Sequence, residues 1–92
     1  MWHIYIVQCR DGSYYTGISN DVDARVATHN SGKGAKYTRS RLPVTCVYKE
    51  EAIDRSCASK REYQIKQLTH REKHELIKQT CSYTTSQTRT DL

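Results

Sequence analysis

The chain has 92 residues, enough for one domain, and 36% of them are hydrophobic, so the core it can build is small. Fifteen Lys and Arg against ten Asp and Glu leave a net charge of +5, which favours polyanionic partners. The longest apolar run is a few residues, too short to span a membrane, and the N-terminus carries no basic stretch followed by an apolar one that would mark a signal peptide.

Residues 2–18 hold two β-branched and aromatic runs, Trp2-His3-Ile4-Tyr5-Ile6-Val7 and Ser13-Tyr14-Tyr15-Thr16-Gly17-Ile18, on either side of Asp11-Gly12. The pattern predicts a β-hairpin, and two registers are open. A three-residue loop Arg10-Asp11-Gly12 with a left-handed Gly12 makes a type I turn with a G1 bulge. Val7 then faces Tyr15, Tyr5 faces Gly17, and both tyrosines project from one face, with Gly17 leaving room for the Tyr5 ring. A two-residue Asp11-Gly12 turn puts the tyrosines on opposite faces. Turn statistics favour the bulged loop.

Residues 19–30 read as a helix capped by Asn20 or Asp21, with Val22 and Val26 as its buried stripe and Arg25 and His29 together on a neighbouring face. Residues 31–43 read as a long loop in which Gly32 and Gly34 allow a ligand to approach the backbone. Neither a dinucleotide fingerprint nor a phosphate-binding P-loop is completed there. No acidic residue lies between Asp23 and Glu50, whereas Lys33, Lys36, Arg39 and Arg41 do, with Tyr37 among them. Such a segment suits either a nucleic-acid surface, with Tyr37 available to stack on a base, or a solvated loop that keeps the chain soluble.

Residues 44–49 predict a third strand. Ala58, Arg61, Ile65 and Leu68 recur at helical spacing, predicting a helix over 54–68 capped by Asp54 or Ser56. On that helix Glu62 stands four residues before Lys66, the spacing of an ordinary surface ion pair. Thr69-His70-Arg71-Glu72 is a capping box that starts a further helix over 69–78. His70 and His74 share a face at a spacing that can chelate zinc, but no third ligand is evident, and an exposed helix face is the simpler reading. Residues 80–92, rich in Ser, Thr and Gln, read as a flexible tail after a domain of residues 1–79. Cys9, Cys46, Cys57 and Cys81 form no CxxC pair, which fits a reduced cytoplasmic protein without a required disulfide. The elements sum to an α+β fold, a small three-stranded antiparallel sheet flanked by three helices.

Taken together, and over roughly residues 1–78, these motifs resemble the GIY-YIG endonuclease family in its small single-domain branch. His3-Ile4-Tyr5 stands where the family has Gly-Ile-Tyr, and Tyr15-Thr16-Gly17 where it has Tyr-Ile-Gly. Arg25 and His29 match its Arg-x-x-x-His helix, and His29 to Thr38 match the loop that follows. Glu62 stands where the family has its single metal-binding Glu. His3 and Thr16 depart from the pattern without touching a tyrosine, and no counterpart is evident for the phosphate-contacting Asn found after the metal-binding helix in many members.

The resemblance implies a metal-dependent endonuclease that hydrolyses DNA phosphodiester bonds and selects by structure rather than sequence, with DNA repair as its setting. Its partner would be DNA, with RNA left open. The composition points to the cytoplasm and to no membrane partner, and the oligomeric state is left open, a monomer being favoured. The implied catalytic residues are Tyr5, Tyr15, Arg25, His29 and Glu62. Glu62 would hold Mg²⁺, or another divalent cation such as Mn²⁺, and Arg25 would stabilise charge on the phosphoryl oxygens. Tyr5, acting as phenolate with help from the cation and Arg25, would be the base, and His29 would relay the proton. Lys33, Lys36, Tyr37, Arg39 and Arg41 would bind nucleic acid. The rival expectation is a nucleic-acid-binding module of the same fold with little or no cleavage.

Overall fold

The computed structural model describes residues 1–89, with side chains described for residues 1–79. The first strand, β1 (Trp2–Gln8), pairs antiparallel with β2 (Tyr14–Ser19) on one side and β3 (Thr45–Ala52) on the other, giving the order β2-β1-β3. Because β1 is the central strand, Ile4, Tyr5, Ile6 and Val7 are all buried, and successive side chains feed two different cores. Ile4 and Ile6 join Tyr48, Ala58, Ile65 and Ile77 on one face, while Tyr5, Val7 and Cys9 join Val22 and Val44 on the other. Burying each isoleucine contributes about 1.5–3 kcal/mol, which explains an apolar run with no polar alternation.

The hairpin takes the bulged register. Cys9 N donates to Ser13 O at 2.8 Å, Gly12 N donates to Cys9 O at 2.9 Å, and Gly12 has φ of 88°. Tyr5 therefore faces Gly17 and Val7 faces Tyr15. A second irregularity, between Ile6 and Val7 where β1 meets β3, lets Ile6 pair with Tyr48 and Val7 with Cys46.

Helix α1 (Val22–Thr28) is capped by Asp21, whose carboxylate accepts from Ala24 N at 3.1 Å. Its last turn widens into a π-turn over His29–Lys33 that ends through Gly32, with φ of 85°. The segment expected as a continuous loop over 31–43 holds a short helix, α2 (Lys36–Arg39). Four residues are too few to leave a periodic signal. This turn is instead closed locally, by Thr38 Oγ1 donating to Ala35 O at 2.9 Å. The ends of the segment are tied back. Asn30 donates to Val44 O at 3.0 Å and accepts from Val44 N at 2.7 Å, and Arg10 N donates to Arg41 O at 2.9 Å.

Helix α3 (Arg55–Lys66) starts at the expected cap, Asp54, which accepts from Cys57 N at 2.8 Å. Arg61 joins it to β3 through an ion pair with Glu50 at 3.0 Å, and Glu50 also accepts from the Tyr48 hydroxyl. Helix α4 (His70–Arg89) opens with the capping box: Thr69 N donates to Glu72 Oε1 at 2.8 Å and Glu72 N to Thr69 Oγ1 at 3.1 Å. It extends past the expected end at residue 78, and the expected tail over 80–92 lies outside the residues with described side chains. Cys9, Cys46 and Cys57 are free thiols. Among the described residues no helix is long and apolar enough to cross a membrane.

Candidate active site

Strands β1 and β2 present Tyr5 and Tyr15 on the same sheet face, because the register puts Tyr5 opposite Gly17 and Val7 opposite Tyr15. The glycine is required: a Cβ at position 17 would lie 2.6 Å from Tyr5 Oη. The widened end of α1 then turns His29 inward, so that its ring is fully buried and bonded on both sides. Nε2 lies 2.9 Å from Tyr5 Oη, and Nδ1 lies 3.0 Å from Thr38 Oγ1.

The hydrogen-bond chain assigns the tautomer. Thr38 Oγ1 spends its proton on Ala35 O, so it accepts from His29, and Nδ1 carries the hydrogen. Nε2 then has a free lone pair, and the Tyr5 hydroxyl donates to it. A contact from Ala35 N to Nδ1 would require the opposite tautomer, but at 3.4 Å it is the longest of the set, and the shorter pair through Thr38 decides. Burial, and then the charge of Arg25, hold His29 below its ordinary basicity and keep it neutral. Gly34 supports this ring rather than a ligand, since a Cβ there would collide with His29 Nδ1. The expectation that Gly34 admits a ligand to the backbone is corrected accordingly.

Tyr5 is 1% exposed, and burial is the main reason its hydroxyl is held above the ordinary tyrosine pKa. Tyr15 and Glu62 push it the same way, and Arg25 opposes them. Arg25, Tyr15 and Glu62 thus all act on this one hydroxyl, although they come from α1, β2 and α3. Tyr15 also packs edge-on to His29, with centroids 5.4 Å apart at 67°. The five expected catalytic residues converge on one cluster, in which burial favours the phenol form of Tyr5. Glu62 forms the ion pair with Lys66 that its spacing suggests, at 3.3 Å.

The five residues expected to meet nucleic acid are in different situations. Lys33, Lys36 and Arg39 are exposed on the π-turn and α2, free of ion pairs among the described residues. Tyr37 is 39% exposed and stacks on Tyr15, with centroids 6.1 Å apart at 25°. Arg41 is a brace: it pairs with Asp11 at 3.2 Å, donates to Tyr37 O at 2.8 Å and lies 4.1 Å over the Tyr37 ring. Beside the cluster opens a cleft of about 330 Å³ lined by Tyr14, Tyr15, Thr16, Tyr37, Lys66 and Lys73.

Among the described residues no group of three His, Cys, Asp or Glu stands together. Glu62 is a single carboxylate near enough to act on the Tyr5 hydroxyl, and one carboxylate suits a hard cation keeping most of its own water rather than zinc. His70 and His74 have other partners. His70 stacks on Tyr14 with centroids 4.6 Å apart and lies 3.0 Å from Gly12 O, and His74 Nδ1 lies 3.1 Å from the Tyr14 hydroxyl.

Sequence reasoning does not reach Thr38, Gly34 and Lys73 as parts of this neighbourhood. Thr38 is nine residues from His29 and meets it only because the π-turn and α2 fold back.

Two tyrosines on a hairpin, an Arg-x-x-x-His helix and a distant Glu thus act on one phenol. Residues 1–75 match the family model of the GIY-YIG catalytic domain, and the chain belongs to that family. Among individual proteins it is similar to a UPF0213 protein of Desulfotalea psychrophila, 58% identical over 78 residues that make up 84% of this chain and 71% of the relative. A UPF0213 protein of Halobacterium salinarum is 53% identical over 77 residues, 84% of this chain and all of the relative. The solution NMR structure of a UPF0213 protein from Bacillus halodurans superposes with a TM-score of 0.58 at 39% identity, covering 99% of this chain and 98% of that one.

Proposed function

We propose that this chain is a divalent-metal-dependent endonuclease that hydrolyses DNA phosphodiester bonds, chosen by structure rather than sequence. The observation that carries the reading is the buried relay from Tyr5 through His29 to Thr38 beside Arg25 and Glu62. Because Tyr5 rests as a phenol, it activates water by exchange. The attacking water gives a proton to Tyr5 Oη while the Tyr5 proton moves to His29 Nε2, and the hydroxide formed attacks phosphorus. Thr38 holds the imidazolium through Nδ1–H. Arg25 pairs with the phosphoryl oxygens as negative charge gathers there, which also relieves its repulsion of the imidazolium. Glu62 would hold Mg²⁺ or Mn²⁺, and the cation, when bound, neutralises the leaving oxygen. Independence of sequence is supported by the exposed Lys33, Lys36 and Arg39, since contacts of that kind with phosphate carry no base information.

A second reading, a binding module without cleavage, is favoured by one observation: Lys66 already pairs with Glu62. Glu62→Gln separates the two. Cleavage of a panel of nicked, branched, single-stranded and duplex DNA and of RNA, with and without Mg²⁺, is expected to disappear while affinity stays near the parent's. Cleavage at the parental rate rejects the mechanism.

A further inference from the structure

The cleft beside the cluster holds two cations that the relay does not use. Lys66 and Lys73 both line it, one from the end of α3 and one from the first turns of α4. Lys66 has the carboxylate of Glu62, but Lys73 has no ion pair among the described residues although it is half-buried. Burial and the neighbouring charge of Lys66 both hold Lys73 below its ordinary basicity, so the site lacks an anion that would relieve it. Thr16 adds a separate sign. It is 2% exposed, lines the same cleft, and its hydroxyl has no hydrogen-bond partner among the described residues. A buried polar group left unpaired costs about 1–3 kcal/mol, so a donor kept there without a partner points to something that binds it.

The remaining walls identify the anion. Three aromatic residues, Tyr14, Tyr15 and Tyr37, line the cleft. Two ammonium groups, a hydroxyl and aromatic walls together match a nucleotide, its phosphate on the cations and its sugar or base on the rings. Tyr15 belongs to both this cleft and the catalytic cluster, and Lys66 reaches from the cleft to Glu62. A strand lying in the cleft is therefore continuous with one whose scissile bond faces Tyr5. We infer that Lys73, with Lys66 and Thr16, forms a second phosphate subsite that takes a backbone phosphate neighbouring the scissile one. This rests on the nuclease reading above. It also accounts for the missing phosphate-contacting Asn, whose task these residues would share.

The test is fluorescence anisotropy of the full chain with a labelled oligonucleotide, single-stranded or in a nicked duplex, in EDTA and across a range of salt. Lys73→Gln is expected to weaken binding and to lower the slope of log K against log salt by about 0.7 on a single strand or about 0.9 on a duplex, the value of one neutralised phosphate. Lys73→Arg should retain the parental slope, and Lys78→Gln, an exposed residue that does not line the cleft, should leave it unchanged. Circular dichroism of each variant checks the fold. A parental slope in Lys73→Gln, or an equal loss in Lys78→Gln, overturns the subsite while leaving the nuclease reading standing if the parent cleaves. Failure of the parent to bind any oligonucleotide overturns both.

Discussion

Tyr5 and His29 form one functional pair, and their shifts are two sides of one arrangement. The interior favours the neutral form of each, and the hydrogen bond between them then runs from phenol to imidazole. Tyr5→Phe keeps the packing over Gly17 and removes the proton carrier, so the cleavage rate should fall on the order of a hundredfold or more, while stability falls by about 1–3 kcal/mol because the buried His29 Nε2 loses its partner. A variant that cleaves like the parent in a single-turnover assay would remove Tyr5 from the mechanism. The pH profile follows from the direction of the histidine shift. His29 must be neutral to accept the proton, and its pKa lies below the ordinary 6.5, so activity should hold as pH falls to 6.5 and decline only below it. An acid limb centred above 6.5 would contradict the assignment. Stability follows the same group: below pH 6.5 the unfolded chain takes up a proton that native His29 resists, so stability is complete above that pH and is lost as pH falls. Gly34→Ala should act through the same ring, displacing His29 and lowering cleavage as His29→Ala does, which parallel rate measurements on the two variants would check.

At the scale of elements, the α3–α4 junction depends on local polar chemistry. The capping box bonds the N–H groups of Thr69 and Glu72 that the first turn of α4 leaves unpaired. Thr69→Ala should destabilise the protein by about 1 kcal/mol, read from urea unfolding. No loss would mean that α4 is held by its tertiary packing, through Ile77 and Leu76 among others, rather than by its cap. That helix also grips the tip of the hairpin, with Tyr14 between His70 and His74 and Gly12 O against His70. The contact sets one wall of the lysine cleft, since Tyr14 and Lys73 both line it. Arg41 joins α2 to the hairpin loop through Asp11 and Tyr37, and Tyr37 also lines the cleft.

The whole molecule carries its positive charge unevenly. Lys33, Lys36 and Arg39 stand exposed on one connected segment, and Lys66 and Lys73 flank the cleft. Affinity for nucleic acid should therefore fall steeply with salt and depend little on sequence. Neutralising Lys33, Lys36 and Arg39 together should flatten the salt dependence on duplex DNA by up to about 0.9 for each phosphate that is no longer neutralised. An unchanged slope would make the segment only a solvated surface. Arg41 is better left out of that test, because its removal would also release Asp11 and Tyr37.

The hairpin register, the caps at Asp54 and Thr69, and the helix through Ile65 were legible in the chain because each rests on contacts within a few residues. A left-handed Gly12, a short polar acceptor before a free N–H, and a 3.6-residue stripe are local signals. The five expected catalytic residues were legible only through the order of motifs resembling a family, since no periodicity links Tyr5 to Glu62. What the tertiary structure decided is the state of those groups. Thr38 and Gly34 reach His29 because a π-turn and a four-residue helix fold back on α1, and neither element leaves a pattern in the sequence. Burial then favours the phenol form of Tyr5 and the neutral form of His29. Protonation responds to the dielectric and to charges converging from separate elements, and both exist only once the sheet and its helices have closed around the site.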